Sequence, residues 1–461
     1  MSTRLFPRRR TDDLLPRLLS LCSTQPRYTV EQSVHALHSL GADEAADILG
    51  RQRCRSIVVA RLTPVRAHAT VARCLDLLEP RAARIRDMHR VLDENLDRVD
   101  ALARRLDLPV LAFKGLAARR GYADPSQRDF GDLDLYVRTR AEAGRLAAAL
   151  RTQHGYRVNP DELPWLKYDH EARLVYGQIN LLAPEGASDV LNVDVHFGDY
   201  SVRHCARLGL DRAHGLSKEP GLAVMPPEEN LASGVNNAAG DHFVTMKDTN
   251  DLLAALDRGD FDWGRFRNLV EDAGLLPFLG FVVDKLRISS RLTPRQAELL
   301  DRLPLTRRLE PAPPLTRPDW RRRYWATTVH AFRATRPRGA AAAIRTATGA
   351  YDYYSKRLRL ELSGPGERRE GLDRFDTSTC VRLVPAELAT SLPGFDGATA
   401  TAAPITGRGT LVADRGIARA DTRAGTLLTV DGEVYVATVN YRIPRALAAA
   451  ARAEALQLNG A

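Results

Sequence analysis

The chain has 461 residues, 67 basic against 57 acidic side chains, a net charge of +10 and 44% hydrophobic residues. That composition excludes wholesale disorder, collagen-like repetition and a low-complexity scaffold, and the length suits about three domains with buried cores. Cys22, Cys54, Cys74, Cys205 and Cys380 are odd in number, widely spread and free of any CxxC pair, which argues against a disulfide framework or structural zinc and for a reducing, cytoplasmic compartment.

Near the start, Arg8 to Arg10 are followed at once by Asp12 and Asp13, and the apolar stretch 14–21 is broken by Pro16 and Arg17. A signal peptide is not expected. The longest apolar run, 275–283, is interrupted by Pro277 and Gly280 and is less than half of a bilayer span, so no membrane partner is expected either. The arginines are interleaved with Asp and Glu, the pattern of a solvated surface rather than of a polyanion-binding groove.

The first hundred residues read as helices. Thr29 and Gln32 have capping-box spacing, with Val30, Val34 and Leu37 on one face before Gly41. A clearer helix starts at Pro80 and carries Ile85, Met88, Leu92, Leu96, Val99, Leu102 and Leu106 until Pro109. A strand-like run, 110–113, leads into Lys114-Gly115, a short helix to about Tyr122, a polar turn ending at Gly131, and a strand over 132–137. Thr139 and Glu142 can cap the next helix, and strand-like stretches recur near 172–182 and 190–197. After Pro226-Pro227, helices are expected near 228–240, 247–257, 264–273 and 277–289, then a linker at 311–318 and helices over 318–335 and 338–354. In the tail, 426–430, Asp431-Gly432 and 434–439 have the form of a β-hairpin. The expected division is a helical region (1–107), a core (108–225), a helical domain closing a cleft (226–310), a linker with helices (311–360) and a β-rich region (361–461).

The chemistry concentrates in VLAFKGLAARRGYADPSQRDFGDLDLYV, residues 110–137, and LNVDVH, residues 191–196. Strand alternation puts Asp132 and Asp134 on one face, with Leu133 and Leu135 directed to the core. Carboxylates this close repel unless a cation sits between them, and such oxygen pairs suit Mg²⁺. Asp194 lies in another strand-like stretch with Val193 and Val195 opposite. If the two strands are neighbours, three carboxylates converge and can hold two metal ions for in-line phosphoryl or nucleotidyl transfer. Lys114-Gly115, where a strand hands over to a helix, offers backbone N–H groups and a charge to phosphate, and Arg128 is spaced to reach the same phosphates. Exposed strands also alternate Asp with apolar residues, so spacing alone leaves a surface strand open.

His196 shares a strand face with Asp194 and suits either substrate contact or a structural hydrogen bond. Lys247, Asp248 and Asp251 lie at helical spacing, facing a cleft that binds base, ribose or phosphate, or forming a surface Lys-Asp pair. His35 with His38, and His204 with Cys205, lack further ligands nearby. Residues 363–367, SGPGE, read as a turn rather than a phosphate loop.

Lys-Gly, a short helix, Arg-x-x-Gly-Asp-x-Asp-Leu and a later Asp-x-His strand together resemble the uncharacterised nucleotidyltransferase family of the DNA polymerase β-like superfamily. The resemblance covers 110–137 and 192–196, and more loosely 226–276. It implies an α/β (α+β) fold, with a polymerase β-like nucleotidyltransferase core of mixed sheet flanked by helical regions and a small β-rich C-terminal region. It further implies transfer of a nucleoside monophosphate from a nucleoside triphosphate to an acceptor, with pyrophosphate release and two Mg²⁺ ions, Mn²⁺ being a substitute. Asp132 and Asp134 would be the metal pair, and Asp194 the third carboxylate, binding the catalytic metal and assisting deprotonation of the acceptor. The wider superfamily grips the triphosphate with a Gly-Ser pair; here Lys114, Gly115 and Gly131 take that place. The acceptor stays open among a small molecule, a peptide and tRNA. The alternative is a nucleotide- or RNA-binding module without chemistry.

Overall fold

The computed structural model describes residues 8–159, 165–169, 174–198, 200–202, 206–208, 219–305, 309–310, 312–336, 339–341, 343–344, 347–348, 351, 380–385, 418–422, 425–430 and 433–438. The chain divides into two units. A helical unit comprises Met1–Asn95, Ala112–Gly131 and Val224–Arg323, and a sheet unit comprises Leu96–Leu111, Asp132–Ala223 and Tyr324–Ala461.

The helical unit opens with α1 (Arg8–Ser20), α2 (Val30–Leu40), α3 (Ala42–Arg51), α4 (Arg55–Leu62) and the first part of α5 (Ala69–Arg105). Thr29 and Gln32 close a reciprocal capping box at α2, and Gly41, at φ 86°, turns the chain into α3. Leu18, Leu19, Leu37, Leu49, Val58 and Leu75 form the core among these helices. The helix expected from Pro80 begins instead at Ala69, with Pro80 inside it. The apolar period continues upstream through Val71, Leu75 and Leu78, all buried, and that burial outweighs the hydrogen bond that proline cannot make.

A four-residue α6 (Gly115–Ala118) follows the first strand, β1 (Pro109–Ala112), and α7 (Arg140–His154) belongs to the sheet unit. After Pro226 the helical unit resumes with α8 (Pro227–Asp241), α9 (Met246–Asp257), α10 (Trp263–Asp272) and α11 (Leu276–Ser289), close to the expected spans. A further helix, α12 (Pro294–Asp301), was not expected, although Thr293 and Gln296 cap it reciprocally. After the 311–319 segment comes α13 (Trp320–Thr335).

The sheet unit adds β2 (Leu133–Val137), β3 (Arg157–Val158), β4 (Trp165–Asp169), β5 (Leu174–Leu182), β6 (Val193–Gly198), β7 (Tyr200–Val202), β8 (Ala206–Leu208) and β9 (Gly221–Val224). From the tail come β10 (Cys380–Pro385), β11 (Ala418–Thr422), β12 (Gly425–Val430) and β13 (Glu433–Thr438). Their order is β11-β12-β13-β10-β4-β5-β6-β2-β1-β9, with β3 paired to β5 and a separate β7-β8 ladder. β2 and β6 are parallel, whereas β4-β5, β5-β6 and β10-β4 are antiparallel. The expected tail hairpin is the antiparallel β12-β13 pair, and β10 joins the tail strands to β4.

One face of the central strands is apolar. Leu133, Leu135, Val137, Val193, Val195 and Phe197 are buried there, and α7, capped by Thr139 and Glu142 and ended by left-handed Gly155, lies against β2, β5 and β6. Gly177 sits opposite Phe197, whose ring edge would be 2.0 Å from any added Cβ. Among the described residues no helix is long and apolar enough to cross a membrane. His204, Cys205, residues 363–367 and parts of 338–354 lie outside the described residues.

Candidate metal centre

Register decides what the polar face holds. Parallel pairing of β2 with β6 sets Asp134 opposite Asp194 and Tyr136 opposite His196. On the other side of β6, antiparallel β5 sets Asn180 opposite Asp194 and Gln178 opposite His196. Because alternate residues share a face, Asp134, Asp194, His196, Tyr176, Gln178 and Asn180 gather on one side of three strands. One ligand atom from each of Asp134, Asp194 and His196 lies within 4.8 Å of the others.

The hydrogen bonds are specific. Gln178 Nε2 donates to Asp194 Oδ2 at 2.8 Å, and Asn180 Nδ2 donates to Oδ1 at 2.8 Å. His196 is fully buried, with Nε2 3.0 Å from Asp134 Oδ1 and Nδ1 2.6 Å from the Tyr176 hydroxyl. An ionised Asp134 accepts, so in the neutral imidazole Nε2 carries the hydrogen and Nδ1 accepts from Tyr176. Asp134 is 8% exposed and Asp194 half-buried. The two carboxylates fit a divalent cation such as Mg²⁺ or Mn²⁺; with both ring nitrogens engaged, His196 would coordinate a metal only by giving up one of these bonds.

The cluster is not the trio anticipated from spacing. Asp132 stands one residue before β2 and outside the 4.8 Å group, which His196 completes instead. His196 also makes the structural hydrogen bonds that its position allowed.

The remaining candidates lie in the helical unit. Lys114 has φ 51°; its carbonyl accepts from Asn230 Nδ2 at 3.1 Å, and its ammonium lies 5.1 Å from the Phe113 ring centroid. Gly115 leaves no room for a side chain, since a Cβ would sit 2.9 Å from Phe130 Cβ. Space beside Gly131 is open. Arg128, expected near phosphate, is 4% exposed and gives Nε and Nη2 to the two oxygens of Asp251 at 2.7 and 2.8 Å. Tyr122 donates to the same carboxylate at 2.7 Å. Burial works against the Arg128 charge, but Asp251 more than offsets it and raises the pKa. Asp129 accepts from the backbone N–H of Arg55 at 2.6 Å and of Ser56 at 3.3 Å, capping α4 from a distance. Arg128 and Asp129 are thus both committed to partners within the helical unit. Lys247 pairs with Asp248 at 3.3 Å rather than with Asp251, and Asp248 closes a capping box with Thr245 at α9.

A model of the uncharacterised nucleotidyltransferase family matches residues 38–288, more than half of the chain. The chain belongs to that family. Membership places it in the polymerase β-like nucleotidyltransferase superfamily, and the mixed sheet flanked by helices has that architecture. The match takes in the Lys114-Gly115 turn, both strands of the candidate centre and α8 to α11. It also takes in α3 to α5, which the sequence motifs did not reach. No curated protein and no solved structure matches the chain. Family and cluster together are consistent with nucleotidyltransferase chemistry.

Proposed function

We propose that the protein is a metal-dependent nucleotidyltransferase that moves a nucleoside monophosphate from a nucleoside triphosphate to an acceptor, releasing pyrophosphate. The observation that carries this reading is the convergence of Asp134, Asp194 and His196 on one sheet face in a chain of this family. Asp134 and Asp194 would hold the divalent cation, with Asp132 as a further carboxylate for a second ion. Bound there, Mg²⁺ or Mn²⁺ supplies charge neutralisation to the triphosphate and polarises the reacting oxygens.

The chain's own contribution is placement. Two neighbouring strands hold the carboxylates side by side, and burial of Asp134 limits competition from water. Lys114, Gly115 and Gly131 are assigned to phosphate contact on the sequence pattern. Arg128 and Lys247 are occupied by Asp251 and Asp248, so a phosphate contact from either would compete with that pairing. Cys22, Cys54 and Cys74 are buried free thiols, and we place the chain in the cytoplasm, where thiols stay reduced.

The test is incubation of the purified chain with α-phosphate-labelled nucleoside triphosphates, Mg²⁺ and cell extract. Transfer of label to a small molecule, peptide or RNA, with pyrophosphate released and both lost in Asp134→Asn, supports the proposal. Nucleotide binding that is unchanged in Asp134→Asn, without pyrophosphate release, would favour the binding-module reading.

A further inference from the structure

We propose that Tyr176, Gln178 and Asn180 of β5 are positioning residues that aim both carboxylates of the metal centre. This rests on the metal-site reading above and adds a layer to it. The three residues are alternate positions of one strand, so they share the face that carries Asp194 and His196. Each spends a polar group on a member of the cluster. Asn180 and Gln178 take separate oxygens of Asp194, both at 2.8 Å, which fixes the rotation of that carboxylate about its own axis. Tyr176 holds the His196 ring at 2.6 Å, and the other nitrogen of that ring holds Asp134 at 3.0 Å. One strand thus reaches both carboxylates, directly and through one imidazole.

The chemistry of the donors separates this role from charge pairing. Amide and hydroxyl groups orient a carboxylate and bring no positive charge of their own, so they aim the acceptor without neutralising it. Asp251 shows the other design, in which a guanidinium pairs with the carboxylate. Strand pairing does not require these residues, because the β5-β6 ladder is made by backbone groups, and the opposite face of β5 is Gly177 and Ile179. Partners of metal ligands that fix ligand orientation commonly change metal affinity by about 10- to 100-fold when removed.

The experiment is Mn²⁺ binding to the full chain by electron paramagnetic resonance, paired with thermal melting without metal. Gln178→Ala, Asn180→Ala and Tyr176→Phe are compared with wild type and with Ile179→Val, a packing change on the other face. Each of the first three should weaken Mn²⁺ binding, by about tenfold for the two amides, with melting close to wild type, while Ile179→Val leaves affinity unchanged. Saturating metal should restore turnover, since the variants change aim and not the ligands. Should Asn180→Ala fail to fold, Gln178→Ala, at a half-buried position, decides. Wild-type affinity in all three variants overturns the positioning role and leaves the metal centre standing. Absence of Mn²⁺ binding in folded wild type overturns the metal reading and the positioning role with it.

Discussion

In the helical unit, buried charge is matched where it stands. Asp251 takes three donors from Arg128 and Tyr122, and the buried ammonium of Lys285 donates to Gln52 Oε1 at 2.8 Å, the Val244 carbonyl at 2.5 Å and the Leu315 carbonyl at 3.3 Å. On the polar face of the sheet unit, acceptor stands beside acceptor, Asp134 opposite Asp194 on adjacent strands. Coulomb repulsion disfavours that arrangement, and β5 supplies neutral donors that hold it in place. The first kind of cluster completes a fold. The second is the kind of arrangement a divalent cation would stabilise, and the contrast is the physical ground for proposing chemistry at one and architecture at the other.

The contrast is broken most directly at the carboxylates. Asp134→Asn and Asp194→Asn should each lower pyrophosphate release at least about a hundredfold, because cation stabilisation of the transition state is worth several kcal/mol. Each removes like-charge repulsion but also one acceptor oxygen facing His196 or the β5 amides, so the melting temperature without metal should change little. A variant that melts well below wild type would show that the carboxylate serves the fold.

The opposite outcome is expected in the helical unit. Arg128→Ala leaves Asp251 buried without its guanidinium and should cost about 3–5 kcal/mol in denaturant unfolding. Arg128→Met combined with Asp251→Leu should recover most of that loss. A single variant with wild-type stability would remove Arg128 from the architectural class.

Gly177→Ala examines the core side of β5. Its methyl meets the Phe197 ring, and the overpacking should cost about 1–3 kcal/mol in thermal or denaturant unfolding. Mn²⁺ affinity falling in proportion would show that the two faces of the strand are not separable.

The most gradual effect is the pH response of Lys285. Burial lowers its pKa from 10.5 to about 8. Below pH 8 both folded and unfolded states hold the proton, and the cost of burying the charge is fully present. Between pH 8 and 10.5 the unfolded state binds more protons, so stability from this group rises with pH. Burial holds the Cys22 thiol up at about 12 and that of Cys54 well above its ordinary value, which works in the reverse sense above pH 9. The difference between wild type and Lys285→Met isolates the lysine. It should move in favour of wild type by at most about 1.4 kcal/mol per pH unit across that window, and a flat difference would mean that the ammonium is not desolvated.

Local signals in the sequence foretold much of this. Pro226-Pro227 put the start of α8 within a residue or so of its place, and the Asp-Gly turn between β12 and β13 marked the tail hairpin. Pro80 misled because burial upstream overrides a proline rule that is only local. The Asp134 and Asp194 strands were visible as alternating patterns, but their adjacency is a matter of pairing that no local signal carries. The same limit hid Tyr176, Gln178 and Asn180. Their stretch read as a strand, while the positioning role proposed for them depends on the β5-β6 register. Arg128 shows the limit from the other side: near in sequence to the carboxylates, it is committed to a residue 123 positions away.

The most direct test of the central claim is titration calorimetry of non-hydrolysable nucleoside triphosphates, with and without Mg²⁺, on wild type and on the Asp134→Asn/Asp194→Asn double variant. The expected result is binding of at least one nucleotide that requires the metal and disappears in the double variant while the fold persists. Metal-independent binding of equal strength in both proteins would contradict it.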